Sequence, residues 1–257
     1  MGTLRLPYKE DQSDGKVRWT LSQADFSRFN AGLLGLGRVS QQAEVINAVA
    51  VIFDLEGFTS FCNQIDPQLV VPEYLSGFLD WLFKAVADEC RQKSSGDLVP
   101  FWAPLPFFGK FLGDGVLFLW DTALILGPYS IGNIALSLVN ICKSYETVFV
   151  NNAATSYTNL PPRLRVGMAR GQVLAIGGGT DFVGSCINMA ARLQKLGSLS
   201  FAASRRGFDP QACLHPKAAG DFVVKKTAIR GIGNDERVVI LKKELDALPP
   251  EEKALLG

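Results

Sequence analysis

Apolar residues run almost unbroken from Ile46 through Phe53 and give way at Asp54, the pattern of a strand covered on both faces. Beyond it, Pro72 suits the first turn of a helix. Leu75, Phe78, Leu79, Leu82, Phe83, Val86 and Cys90 then recur at helical spacing up to a Lys93-Ser94-Ser95-Gly96 stop. This predicts an amphipathic helix packed on a sheet. Phe107 to Trp120 reads as a hairpin whose apolar arms meet at Gly113-Asp114-Gly115, which puts Asp114 at its tip. A second helix follows, with Ile131, Ile134, Leu138, Ile141, Cys142 and Tyr145 on one stripe. Leu164–Ala169 and Gln172–Ile176 then suggest a second hairpin around Arg170-Gly171. After the loop Gly177-Gly178-Gly179-Thr180, Ser185 to Leu196 predicts a helix with Ser185 as N-cap and Gly197 as stop. Asp221–Thr227 and Arg237–Leu241 read as late strands.

Helices interleaved with hairpins in this order predict an α+β fold, ferredoxin-like or palm-type, with helices over one face of a mainly antiparallel sheet. Residues 46–244 are expected to form the domain. Residues 1–45 form an N-terminal extension with one short helix, and 245–257 a C-terminal tail. Three prolines and four aromatics between Val99 and Phe108 rule out a regular central strand there. The segment from Asp97 to Phe108 is therefore expected to be a shaped loop or an edge.

A chain of 257 residues, 47% hydrophobic and 20% charged, can bury a substantial core. Its net charge of +1, without a long Lys/Arg run, lacks the footprint of a nucleic-acid binder. Five scattered cysteines with no Cys-x-x-Cys pair argue against a disulfide framework and a structural zinc site, and fit a reducing cytoplasm. Residues 1–30 lack the apolar centre of a signal peptide, and no membrane span is expected. The uncharged stretch Thr122–Cys142 is broken by Gly127, Pro128, Gly132 and Asn133, so it reads as a strand end, a turn and a core helix. Gly32-x-x-Gly35-x-Gly37 does not have the order of a phosphate loop and reads as turn chemistry.

Candidate chemistry begins with Asp54 and Asp114, each placed where an apolar strand meets glycines. Carboxylates at buried strand ends are costly alone and repel one another together, so a divalent cation is their natural partner; a helix cap or a turn residue is the alternative. Asn188 and Arg192 are four apart and project from one helix face, an amide and a guanidinium suited to a sugar and a phosphate. The one histidine, His215, lies outside every motif and reads as a structural or surface residue.

The segments around Asp54, Gly113-Asp114-Gly115 and Asp181 to Leu193 together resemble, in order, the signature blocks of the class III nucleotidyl cyclase catalytic domain. The resemblance spans about residues 46–242. It implies that Asp54 and Asp114, with the Leu55 carbonyl, hold two divalent ions, Mg²⁺ or Mn²⁺, and that the amides of Glu56, Gly57, Phe58 and Thr59 cradle a triphosphate. It also implies that Asn188 orients the ribose, that Arg192 contacts the reacting phosphate and that Arg230 holds terminal phosphates. Lys110 and Asp181 fall at the base-reading positions, Lys110 having a solvated strand lysine as its plain alternative. The implied assembly is a head-to-tail homodimer with composite sites.

On base choice, the Lys110/Asp181 combination resembles adenine readers. A chain of this size with no sensor or membrane domain is instead similar to the bacterial pyrimidine cyclases of anti-phage (Pycsar) defence. That branch makes cyclic UMP or cyclic CMP for a separate effector, and uridine is expected ahead of cytidine. A catalytically silent cyclase-like binding module is a further alternative. A diguanylate cyclase is not, because Gly113-Asp114-Gly115-Val116 does not match its Gly-Gly-Asp-Glu-Phe hairpin.

Overall fold

The computed structural model describes residues 4–12, 18–37, 39–40, 42–92, 99–125 and 127–257. The expected stop at Lys93-Ser94-Ser95-Gly96 lies outside the described residues, as do Asp97 and Leu98. The chain divides into two compact units, Met1–Val45 with Leu174–Val183 and Ile46–Val173 with Gly184–Gly257. In the first, β1 (Lys9–Asp11) pairs antiparallel with β2 (Arg18–Thr20), a hairpin too short to leave a periodic signal. The short helix expected there is α1 (Gln23–Ser27), capped by the Ser22 hydroxyl, which accepts the Asp25 N–H at 3.0 Å. Gly35 and Gly37 take positive φ angles of 67° and 63° after a 3-10 turn at Ala31–Leu34, as turn chemistry requires.

The second unit is built on β3 (Glu44–Glu56), which begins earlier and ends later than its apolar run and is buried from Ala48 to Leu55. A single helical turn, α2 (Phe58–Phe61), leads to α3 (Pro67–Cys90). Pro67, not Pro72, opens α3, because Asp66 turns the chain in with φ 54°. Pro72 sits on the exposed side, where water can serve the Gln68 carbonyl that loses its donor. Then come β4 (Phe108–Phe111), β5 (Gly115–Asp121) and α4 (Pro128–Ser144), which continues through a π turn at Tyr145–Phe149 into α5 (Val150–Ala153).

The hairpin expected around Arg170-Gly171 is instead one continuous strand, β6 (Arg163–Ile176). Its last residues pair with β7 (Asp181–Val183) in the first unit, and the reversal falls at the glycine loop between them. Gly171 is there for close approach rather than turning: a Cβ on it would lie 3.1 Å from the Cβ of Cys186. The chain ends with α6 (Ser185–Leu193), β8 (Phe201–Ser204), α7 (Pro210–Cys213), α8 (Pro216–Ala219), β9 (Phe222–Ile229), β10 (Gly233–Leu241), α9 (Lys242–Ala247) and α10 (Pro250–Ala254). Gly184, not Ser185, caps α6. His215 is exposed and structural, its Nδ1 accepting the Lys217 N–H at the start of α8.

The sheet runs β4-β5-β3-β6-β8-β10-β9. β3/β5, β4/β5, β8/β10 and β9/β10 are antiparallel and β6/β8 is parallel, so the sheet is mixed but mainly antiparallel. Strand alternation sorts its two faces. Val49, Val51 and Phe53 of β3, Phe118 and Trp120 of β5 and Val166 and Met168 of β6 join one core with the stripes of α3 and α4. Phe83, expected on the α3 stripe, is 53% exposed and meets the core residue Phe118 edge-on, with ring centroids 5.1 Å apart. The Tyr145 hydroxyl donates to the Pro161 carbonyl at 2.7 Å and accepts from Tyr74, also at 2.7 Å, so neither buried phenol is orphaned. The proline-rich segment is a tethered loop beside edge strand β4: the Pro104 carbonyl accepts the Trp120 indole N–H at 2.7 Å, and the Trp102 N–H donates to the Cys90 carbonyl at 2.8 Å.

The other face carries α6, so helices cover both sides rather than one. Gly167, between the core-facing Val166 and Met168, receives it, and a Cβ on Gly167 would stand 2.1 Å from the Ala190 carbonyl oxygen and 2.5 Å from the Gln194 nitrogen. No helix among the described residues is long and apolar enough to cross a membrane. Burial pushes the Cys90 thiol up to about 11 and the Cys142 thiol well above the usual range, leaving both protonated and unreactive at neutral pH.

The seat of α6 predicts a graded response in urea unfolding. Gly167→Ala should cost about 2 kcal/mol or more, because backbone atoms at 2.1 and 2.5 Å must move far, while Gly171→Ala, whose new Cβ would stand 3.1 Å from the Cys186 Cβ and need a shift of only about a few tenths of an ångström, should cost less than about 1 kcal/mol. Equal losses would contradict the close packing of α6 on β6.

Candidate active site

Asp54 and Asp114 are brought together by backbone constraints. Asp54 pairs in register with Gly115, and the Leu55 N–H donates to the Asp114 carbonyl at 3.0 Å. A Cβ on Gly115 would fall 2.0 Å from the Phe53 carbonyl oxygen, so only glycine lets the hairpin close this tightly on β3. Gly113, at φ 101°, makes the tip, and the Leu112 N–H closes it on the Gly115 carbonyl at 2.8 Å.

The alternation that sends Phe53 into the core turns Asp54 to the α6 face, where it is only 3% exposed. A carboxylate buried this far needs a positive partner. Arg165 supplies one: its Nη2 lies 2.5 Å from Asp54 Oδ2. Arg165 shares that face because Leu164 and Val166 on either side of it fill the core. Sequence reasoning missed it, although a charged residue between two buried apolar ones in a strand was a legible signal.

On α6, Cys186, Ala190 and Leu193 are buried, which leaves Asn188 and Arg192 exposed on the opposite stripe. One cleft of about 500 Å³ is lined by Asp54, Asp114, Asn188, Arg192 and Arg230, the last from the β9–β10 turn. Lys195 and Gln194 also line it and were not anticipated. Gln194 is 4% exposed and its Oε1 is buried without a hydrogen-bond partner.

Among the described residues, Leu55, Glu56, Gly57, Phe58, Thr59 and Lys110 do not line the cleft. Leu55 is buried, and Gly57, at φ 79°, turns the chain from β3 into α2. Lys110 is half-buried on β4, paired in register with Leu117. Asp181 opens β7 in the first unit, where its carboxylate accepts the Phe182 N–H at 2.8 Å. Beside the hairpin tip, burial and then the Asp114 charge push the Cys62 thiol up.

No protein-family model matches the sequence, and no curated protein matches it. Solved structures do match. The adenylyl cyclase CyaB from P. aeruginosa aligns at 13% identity and a TM-score of 0.56, covering 78% of this chain and 96% of that one. A bacterial light-regulated adenylyl cyclase aligns at 13% identity and a TM-score of 0.55, over 82% of this chain and 56% of that one. An adenylate/guanylate cyclase/hydrolase from Silicibacter pomeroyi aligns at 16% identity and a TM-score of 0.50, over 78% and 98%. At such identities the likeness is one of backbone. The chain has the mixed α+β fold of cyclase catalytic domains, a mainly antiparallel sheet with helices packed on it.

Proposed function

We propose that the chain is a class III nucleotidyl cyclase that closes a nucleoside triphosphate into a 3′,5′-cyclic nucleotide and releases pyrophosphate. The observation that carries this reading is the meeting of Asp54, Asp114, Asn188 and Arg192 on one cleft of a chain with that fold.

The donors suit a hard divalent cation. Asp54, Asp114 and the Leu55 carbonyl offer oxygen, the chemistry of Mg²⁺ and Mn²⁺, and Asp54 already sits against a positive group. Among the described residues no cluster of three or more His, Cys, Asp or Glu could hold a metal, so water and phosphate oxygens would complete the shells of two ions. Bound there, two such ions lower the pKa of the ribose 3′-hydroxyl and offset triphosphate charge.

The chain's own groups do the rest. Asn188 holds the ribose so that its 3′-oxygen lies in line with the α-phosphorus. As the O3′–P bond forms and the bond from phosphorus to the bridging oxygen breaks, charge grows on the phosphoryl and pyrophosphate oxygens. Arg192 lies where that charge develops, and Arg230 takes the terminal phosphates. The resemblance adds the amides of Glu56 to Thr59 as neutral donors, although these residues do not line the cleft of the chain as described. The hydroxyl proton leaves to solvent, and no side-chain base is assigned.

UTP is the favoured substrate, with CTP next, the product serving as an anti-phage signal for a separate effector. The support is the Pro/aromatic bulk that just precedes Lys110 in the chain, Phe101, Trp102, Phe107 and Phe108, which would leave room for a small base. The second reading is an adenylate cyclase making cyclic AMP, supported by the Lys110/Asp181 combination. Incubating the purified protein with each of the four triphosphates and Mn²⁺ distinguishes them. Cyclic UMP is expected, and Asp54→Asn, Asp114→Asn or Arg192→Ala should each lower its rate by about 100-fold or more. Exclusive cyclic AMP would displace the pyrimidine reading, and nucleotide binding without any cyclic product would leave a silent binding module.

The resemblance implies a different arrangement, a cytoplasmic homodimer whose two sites are shared between protomers, whereas the cleft gathers Asp54, Asp114, Asn188 and Arg192 within one chain. If sites are shared, mixing an Asp54→Ala chain with an Arg192→Ala chain restores activity neither has alone, since each mixed dimer regains one intact site. Failure to recover would assign the reaction to the cleft of a single chain.

A further inference from the structure

We propose that Arg165 is a built-in counter-ion for the cation site: its guanidinium holds the Asp54 carboxylate in the nucleotide-free protein, and a divalent ion enters only by displacing it. This rests on the two-carboxylate cation site of the preceding section and adds a competitor to it. Asp54 is 3% exposed, Arg165 Nη2 approaches its Oδ2 to 2.5 Å, and the Arg165 side chain is 17% exposed. A carboxylate this buried is strongly disfavoured without a positive partner, so its place cannot be left to solvent.

The guanidinium is held there by few other bonds. Its Nε is buried without a hydrogen-bond partner, whereas a permanent structural arginine is normally saturated. The neighbouring Arg163 is engaged elsewhere, near Glu56 at 3.6 Å and Glu146 at 3.9 Å, and does not contend for Asp54. Two cations therefore compete for one carboxylate, and the resident one lowers affinity for the incoming one. The protein is thereby biased against free metal and toward metal that arrives already bound to its nucleotide.

Manganese titration of the nucleotide-free full chain at about pH 8, followed by electron paramagnetic resonance of the free ion, tests this. Arg165→Met and Arg165→Gln remove the charge and should each bind Mn²⁺ about tenfold more tightly, while Arg165→Lys, which keeps it, should stay within about threefold of the unsubstituted protein. Using two neutral variants keeps the test decisive if one fails to fold. Neutral variants that bind Mn²⁺ no more tightly than the unsubstituted chain overturn the counter-ion role. Adding Asp54→Asn to a neutral variant should abolish the gain; a gain that survives would place the metal elsewhere and remove the cation site itself.

Discussion

A single carboxylate, Asp54, sits almost fully buried at the end of a strand inside the sheet, and the local structure answers the cost of keeping it charged. Breaking such a buried pair by removing one partner costs about 3–5 kcal/mol, a large part of a domain's stability. The fold meets this with Arg165 from the adjacent strand β6 and with a hairpin that closes on β3 only because position 115 is glycine. The same closure brings Asp114 alongside. What makes the site chemically capable is thus what makes it costly: two acids on the face of the sheet turned away from the main aromatic core.

That face is kept open for ligand by the placement of α6. Gly167 lets the helix lie directly on β6, so Ala190 touches backbone while Asn188 and Arg192 remain free on the far stripe. α3, α4 and their aromatic residues consolidate the opposite face. The division of labour between faces explains how a tightly packed protein presents a cleft of about 500 Å³ lined by charged and polar groups. The core supplies rigidity on one side of β3 and the site takes its chemistry from the other.

Much of this was legible in the sequence because it depended on local pattern. The apolar run into Asp54, the Gly113-Asp114-Gly115 tip and the stripe of α4 all follow from periodicity and turn chemistry, and the structure realises each. The Asn188/Arg192 spacing survived although α6 is capped by Gly184 rather than Ser185 and ends at Leu193 rather than Leu196. What failed depended on tertiary contact. Gly171 was taken for a turn because a glycine that admits Cys186 is indistinguishable, in sequence, from one that reverses the chain. β8 offers only four residues, all buried, and so no alternation to read. Arg165 was legible as a charge between two apolar strand residues, but its role was not, because its partner is 111 positions away in the chain. The expected base-reading pair is the part on which the fold bears least, since Lys110 and Asp181 belong to different units.

The claim on which all else rests is that Asp54 and Asp114 hold divalent cations beside a nucleotide triphosphate. A crystal structure with Mn²⁺ and an unreactive triphosphate analogue, read by anomalous scattering, tests it most directly. Manganese peaks are expected about 2.0–2.4 Å from carboxylate oxygens of both residues, with Arg165 withdrawn from Asp54. Manganese bound only away from these two acids, with Arg165 still on Asp54, would contradict it.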